Sequence, residues 1–275
     1  MTSQSTPLTA SRPGPQGDVP STLRVAAAQI LTGADPVANL ALATEAVRRA
    51  ANAGASLVAL PEATLAAFGS DLRAVAQPLD GPFATGLRKV AEEAGVVVIA
   101  GLFEPSTDGR VHNTLLATGP GVETSYRKIH LYDAFGSRES DLVAPGKDLV
   151  TFDLQGVTVG LATCYDLRFA DQFSALGRLG AQLIVVPASW GAGPGKEEQW
   201  DLLTRARASD AQSWLLACDQ AWTPPAGTDP LGIGRSVLAD PLGRVNTRLG
   251  SETGLLLGTV DVNLTTTTRQ RVPIL

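Results

Sequence analysis

Cys164 is the first candidate for chemistry, because it ends an apolar run and precedes a segment that can form a helix. The run Val157–Leu161 is rich in β-branched and apolar residues, which predicts a buried strand. A thiol between a strand and a helix N-terminus can face a cleft beside backbone N–H groups, and such surroundings favour the nucleophilic thiolate. A lone cysteine is most often a small buried side chain, so the assignment depends on its companions.

Glu62 and Lys128 are two such companions. Glu62 follows Pro61 at the predicted C-terminal end of a short strand, where α/β folds place ligand-binding groups, and a carboxylate there can act as a general base. Lys128 lies in an alternating stretch that predicts a strand with Tyr126, Lys128 and His130 on one face. A lysine on an inward face can stabilise a developing oxyanion. The alternative for each is a solvated surface side chain.

Arg168 and Glu139 are weaker candidates. Arg168 comes four residues after Cys164, so a helix that begins just after the cysteine brings the guanidinium to the same cleft, where it can hold a carboxylate in a bidentate manner. Its alternative is a surface salt bridge. Glu139 precedes the turn-like segment Ala144–Lys147 and by itself indicates little.

Strands and helices alternate along the chain, which argues for an α/β layered fold. Asp35 is a predicted N-cap with Pro36 at the first helical position, and Gly54 is the predicted end of that helix. The other predicted elements are strands over Leu23–Ile30, Leu57–Leu60 and Val96–Ala100 and a helix over Phe83–Ala94.

An internal sequence repeat predicts two related β-α-β halves within one domain. Ala53–Glu62 and Leu179–Ala188 each read as a helix end followed by a short apolar strand and a proline. The strands before them, Val25–Ile30 and Val159–Cys164, also correspond. Chance similarity between common α/β units is the alternative.

The composition is that of an ordinary globular protein, with 275 residues, 44% hydrophobic and 18% charged. A net charge of −5 predicts neither a nucleic-acid surface nor a polybasic membrane patch, and no apolar run is long enough to span a bilayer. The two cysteines, Cys164 and Cys218, make no disulfide framework, and no zinc cluster is predicted. Residues 1–20 predict a disordered leader without a signal peptide, residues 21–275 the folded domain, and the expected location is cytoplasmic.

Three ordered motifs resemble those of the nitrilase superfamily of carbon–nitrogen hydrolases. They are Pro61-Glu62, Tyr126–Asp133 and Cys164–Phe169, and the match extends from about Leu23 to Pro273. Glu139 falls where that family carries a second glutamate. The branch that it resembles most contains ω-amidase and deaminated glutathione amidase.

The resemblance implies an α-β-β-α sandwich, a homodimer or higher homo-oligomer, and hydrolysis of a non-peptide C–N bond in a small amide. Cys164 is then the nucleophile that forms a thioester, Glu62 the base, Lys128 the oxyanion partner and Glu139 the residue that orients them. No metal or organic cofactor is required. The predicted substrate-binding residues are Tyr165, Arg168 and Ser189, with Arg168 on the substrate carboxylate.

Several points stay open at this stage. An N-carbamoyl amino-acid hydrolase, a nitrilase and a catalytically silent metabolite- or partner-binding protein are the alternatives. The chain departs from the branch at Ala170, Gln199 and Arg235, which leaves the exact substrate open. The glycine-rich run Gly191–Lys196 fails the phosphate-loop pattern and is interpreted as a flexible loop at the edge of the pocket. Cys218 is interpreted as a packing residue.

Overall fold

A computed structural model describes residues 21–224 and 231–275, and the predicted leader over residues 1–20 lies outside the described residues. The strands of the described chain are β1 Thr22–Gln29, β2 Leu57–Ala59, β3 Val97–Pro105, β4 Val111–Gly119, β5 Val122–Arg127, β6 Val150–Leu154, β7 Val157–Leu161, β8 Leu183–Ala188, β9 Trp214–Asp219, β10 Val237–Ala239, β11 Val245–Arg248 and β12 Gly254–Asp261. The helices are α1 Pro36–Asn52, α2 Leu72–Val75, α3 Pro82–Ala94, α4 Ala170–Arg178, α5 Lys196–Ala211 and α6 Val262–Arg271, with 3-10 turns at Glu139–Asp141 and Cys164–Arg168.

The strands form two six-stranded mixed sheets with the same arrangement. The first has the order β12-β1-β2-β3-β4-β5 and the second, read from its other edge, β6-β7-β8-β9-β10-β11. In each sheet three neighbouring strands are parallel, β1-β2-β3 in one and β7-β8-β9 in the other. Helices α1 and α3 connect the first set, and α4 and α5 connect the second. The predicted pair of β-α-β halves is therefore present, with β1 corresponding to β7 and β2 to β8.

Three apolar layers hold the sheets and helices together. The central layer lies between the two sheets and contains Leu57, Ile99, Val185 and Leu216. The second layer packs α1 and α3 against the outer face of the first sheet, and the third packs α4 and α5 against the outer face of the second. The α/β class and the α-β-β-α sandwich are confirmed.

Local sequence signals set the element boundaries well. Helix α1 begins where predicted, because the Asp35 side chain accepts a hydrogen bond from the Val37 N–H (2.9 Å) and Pro36 opens the helix. It ends near Gly54, whose φ of +84° is the left-handed conformation that glycine adopts at low cost. Within the described residues, no helix combines the length and the apolar character needed to cross a membrane.

One expectation about local structure was wrong, and the helical segment expected after Cys164 is present in two parts. The strand predicted through His130 ends at Arg127, since the chain then leaves the sheet and the Ile129 and His130 N–H groups bond to side chains, Tyr126 Oη and Asp166 Oδ1. The segment after Cys164 begins as a short 3-10 turn, and α4 starts only at Ala170.

Candidate active site

One cavity collects residues from the ends of four strands. Glu62 follows β2, Lys128 follows β5, Cys164 follows β7 and Ser189 follows β8, and all four line a cavity of about 340 Å³. The first sheet supplies Glu62 and Lys128, whereas the second supplies Cys164 and Ser189. The sequence-predicted residues Glu139, Tyr165 and Arg168 line the same cavity.

Glu62 is fully buried and has a donor on each carboxylate oxygen. Its Oε1 accepts hydrogen bonds from Lys128 Nζ (2.8 Å) and Asn113 Nδ2 (2.8 Å), and its Oε2 accepts one from the Ser189 backbone N–H (2.9 Å). The backbone is fixed by close packing against β3, where a Cβ on Gly101 would lie 1.2 Å from the Glu62 carbonyl oxygen. The carboxylate is therefore held in one orientation from both sheets.

Lys128 joins the two glutamates. Its Nζ lies 2.8 Å from Glu62 Oε1 and 3.0 and 3.1 Å from the two oxygens of Glu139. Burial by itself lowers the pKa of Lys128, but the charges of Glu139 and Glu62 outweigh it and hold the pKa well above its usual value. The lysine therefore stays an ammonium in a site where its side chain is almost fully buried.

Asn113 is a site residue that the sequence analysis missed. It lies on β4, and its Nδ2 donates to Glu62 Oε1 (2.8 Å) and to Glu139 Oε1 (3.1 Å). Its backbone oxygen accepts from the Lys128 N–H (2.8 Å), which fixes the start of that side chain as well. No sequence signal distinguishes it from the other polar residues of β4.

Cys164 opens the 3-10 turn with an unusual backbone. Its φ is +42°, a left-handed value that is uncommon for a residue with a side chain and that recurs at functional sites. The turn is held by Asp166, whose Oδ2 accepts from the Thr163 N–H (2.8 Å) and from Tyr126 Oη (2.6 Å). This arrangement fixes where the thiol enters the cavity.

The surroundings of Cys164 do not favour the thiolate as the sequence predicted. Burial raises the pKa of the Cys164 thiol well above its usual value, Glu62 raises it further, and Lys128 and the Ser189 N–H oppose the rise. Burial also raises the pKa of Glu62 above its ordinary 4.5, against the opposing charge of Lys128. A neutral thiol thus lies in one cavity with a carboxylate of increased basicity.

Arg168 contacts only neutral groups among the described residues. Its Nη2 donates to Gln199 Oε1 (2.6 Å), and its guanidinium carbon lies 5.7 Å from the Tyr165 ring centre and 5.1 Å from that of Trp190. Gln199, one of the departures from the branch, therefore positions the arginine. No acidic side chain of the described chain forms an ion pair with Arg168.

Lys196 is the second residue that the sequence analysis missed. It does not belong to a flexible loop but begins α5, and it is 8% exposed and lines the cavity. The glycines before it concealed this position, because a glycine-rich run alone indicates only a turn. The departures Ala170 and Arg235 are not among the cavity residues, and Arg235 pairs with Asp201 (2.6 Å).

Cys218 packs in the central layer, where its thiol donates to the Ala28 carbonyl oxygen (3.5 Å). Within residues 21–224 and 231–275, no group of three or more His, Cys, Asp and Glu side chains is arranged to hold a metal ion.

The carbon–nitrogen hydrolase family model matches residues 24–270 of this chain. The chain belongs to that family. Hydrolase Rv0480c of Mycobacterium tuberculosis is 50% identical over 92% of this chain and 94% of its own length. The ω-amidase NIT2 of Mus musculus is 33% identical over 93% of this chain and 94% of its own length. The resemblance noted in the sequence is confirmed, and the protein is an enzyme of the carbon–nitrogen hydrolase family.

The fold is shared with solved members of the nitrilase superfamily. The crystal structure of Saccharomyces cerevisiae Nit3, a member of branch 10 of that superfamily, superposes with a TM-score of 0.82. The superposition covers 95% of this chain and 98% of the yeast chain at 24% identity.

Proposed function

We propose that this enzyme hydrolyses the terminal amide of a small carboxylate-bearing molecule through a thioester on Cys164, with release of ammonia. The observation that carries the proposal is the shared cavity, in which a cysteine lies with a buried Glu62–Lys128–Glu139 ion-pair network. Buried charges are costly unless they are paired, and this cluster faces the thiol rather than an internal core. The similarity to ω-amidase supports the choice of an amide.

The first half of the reaction forms the thioester. Glu62 takes the proton from the Cys164 thiol while the sulfur attacks the amide carbonyl carbon. The carbonyl oxygen becomes an oxyanion, which the Lys128 ammonium and the Tyr165 backbone N–H stabilise. Loss of one such donor typically lowers the rate by on the order of 10² to 10³. The C–N bond then breaks, and Glu62 returns its proton to the nitrogen, which leaves as ammonia.

The second half releases the acid. A water molecule gives a proton to Glu62 and adds to the thioester carbonyl. The C–S bond breaks, the carboxylic acid leaves and the thiol regains the proton. Glu139 keeps Lys128 in place throughout, and none of these steps uses a metal or an organic cofactor.

The test is ammonia release from three matched panels: ω-amides, N-carbamoyl amino acids and nitriles. We expect release from ω-amides and its loss in Cys164→Ala, with Cys218→Ala as the matched control because Cys218 lies outside the cavity. Release only from N-carbamoyl compounds or only from nitriles would replace the amide assignment with that activity. Activity that survives in Cys164→Ala would remove the cysteine mechanism.

A silent binding protein gives a different result. In that case no panel releases ammonia, and a thiol reagent of amide size, such as iodoacetamide, leaves Cys164 unmodified. In an active enzyme, Glu62 takes the proton from the Cys164 thiol, and the reagent alkylates the resulting thiolate within the cavity.

Two further properties are proposed with this function. A cytoplasmic location is supported by the free thiols of Cys164 and Cys218, which stay reduced in that compartment. A homodimer is supported by the family resemblance. For a homodimer, we expect light scattering to give a mass in solution of twice the 28.5 kDa of one chain.

A further inference from the structure

Lys196 is a cation in the cavity without an acidic partner. Its Nζ lies 3.3 Å from Tyr132 Oη and 3.6 Å from the ring centre of Phe135, and no Asp or Glu of the described residues forms an ion pair with it. The adjacent Glu197 is directed elsewhere, to Arg235 (3.3 Å). The chain therefore holds this lysine against aromatic rings and a hydroxyl rather than against a carboxylate.

The position is electrostatically unfavourable in the free enzyme. Lys196 is the first residue of α5, and a helix N-terminus disfavours a cation. Burial lowers the pKa of Lys196, and the charge of Arg168 lowers it further. Three influences thus act against an ammonium at this place, which is the expected situation for a group whose counter-charge arrives with a ligand.

Arg168 is a second cation of the cavity that has no acidic partner among the described residues. Its partners are the Gln199 oxygen and two aromatic rings, and its buried Nε has no hydrogen-bond partner. A guanidinium and an ammonium that repel each other in one cavity gain stability when a carboxylate lies between them.

The rest of the cavity fits a short carbon chain between two polar ends. Apolar side chains line it together with the charged groups, namely Phe68, Leu72, Leu142 and Val143. Cys164, with Glu62 and Lys128, is the reactive end, whereas Arg168 and Lys196 are the cations left without a counter-charge.

We propose that Lys196 is a specificity-determining residue which, with Arg168, binds the carboxylate of the substrate. This inference rests on the proposed function for the identity of the reacting group. It adds that selection for an anionic substrate depends on a lysine at the start of α5.

A matched pair of substrates tests the inference. Succinamate and butyramide have the same carbon chain and the same amide, and they differ by a carboxylate in place of a methyl group. In Lys196→Met, we expect the ratio of kcat/KM for succinamate to kcat/KM for butyramide to fall on the order of 10- to 100-fold. The control is Lys89→Met, since Lys89 is an exposed lysine of α3 outside the cavity and leaves the ratio unchanged. An unchanged ratio in Lys196→Met overturns the inference.

A binding measurement separates this inference from the proposed function. If wild-type protein releases no ammonia from any panel, calorimetric titration of the Cys164→Ala protein with succinate still tests the cation pair. We expect Lys196→Met to weaken succinate binding by about tenfold or more in that background. Equal affinity with and without Lys196, or no succinate binding in either protein, overturns it.

Discussion

Glu62 combines two properties that a single glutamate rarely has, full burial and the capacity to accept a proton. Its oxygens accept from Lys128, Asn113 and the Ser189 N–H, so the ionised form is solvated by protein donors instead of water. Burial nevertheless raises its pKa, which increases its strength as a base. The Cys164 thiol is held neutral by the same burial, so the proposed proton transfer takes place between these two groups.

This pairing predicts the acid limb of the pH–rate profile. The base works only when ionised, so kcat/KM falls as the pH drops through the raised pKa of Glu62, above its ordinary 4.5. The charge of Glu139 contributes to the raised value. Glu139→Gln should therefore shift the limb to lower pH, even though it also reduces kcat. Profiles of kcat/KM against pH for the wild type and Glu139→Gln, measured with one ω-amide, check this prediction. An acid limb that stays in place or moves to higher pH in the variant contradicts it.

Asn113 is expected to act as a positioning residue. Its amide nitrogen bridges Glu62 and Glu139, so after Asn113→Ala the side chain of Lys128 is the remaining bridge between the two carboxylates within the described residues. We expect kcat to fall by about ten- to a hundredfold, with a smaller change in KM, because the misplaced groups serve the reaction more than binding. Asn52→Ala, at an exposed position in α1, is the control. An effect on KM alone would contradict the assignment.

At the scale of single residues, the sequence predicted what depends on chemical type and order. Glu62 and Cys164 were selected at predicted strand ends, Lys128 on an inward strand face and Glu139 through the family resemblance, and all four line the cavity. Asn113 and Lys196 could not be found, since their roles depend on neighbours far away in the chain: Glu62 for the first, Phe135 and Arg168 for the second. The roles themselves remain predictions.

At the scale of elements, strand packing fixes the positions of the side chains. The segment after β2 passes so close to β3 that Gly101 has no room for a side chain. The Leu60 and Gly101 N–H groups bond across this contact, to the Ile99 and Pro61 carbonyl oxygens (2.8 and 3.1 Å). The orientation of Glu62 therefore depends on a glycine in a neighbouring strand.

Gly101→Ala should damage both stability and activity. The added Cβ would lie 1.2 Å from the Glu62 carbonyl oxygen, so the backbone has to move. We expect a loss of about 3 kcal/mol or more in the free energy of unfolding, together with a loss of ammonia release. Gly250→Ala is the control, since nothing lies within 4 Å of its added Cβ. Denaturant titration of both variants checks the prediction, and a Gly101 variant as stable as the control contradicts it.

The element boundaries show where sequence patterns stop being informative. Apolar runs and prolines located the strands β1, β2 and β8 to within a residue or two. The predicted end of β5 was wrong, because it depends on Asp166, which accepts from the distant His130 N–H as well as from the Thr163 N–H of its own turn. A buried carboxylate that organises two segments leaves no periodic pattern.

At the scale of the whole molecule, the candidate site lies on the join between two similar halves. Neither sheet holds all of the proposed machinery, since Glu62, Asn113 and Lys128 come from the first and Cys164 and Ser189 from the second. The internal sequence repeat predicted the two halves, and the strand orders of the two sheets match. How the halves face each other could not be predicted, because apolar strand residues do not specify their partners in another sheet.

The packing between the sheets should therefore control both stability and rate. Leu216 on β9 is fully buried in the central layer, so Leu216→Ala should lower the free energy of unfolding by about 2 to 5 kcal/mol. Well below the unfolding temperature, kcat should also fall, because the spacing of the sheets sets the approach of Cys164 to Glu62. Leu179→Ala, at a position 55% exposed, should change stability by less than about 0.5 kcal/mol. Full kcat in a destabilised Leu216 variant would show that the spacing is maintained by the ion-pair network of the site rather than by the core.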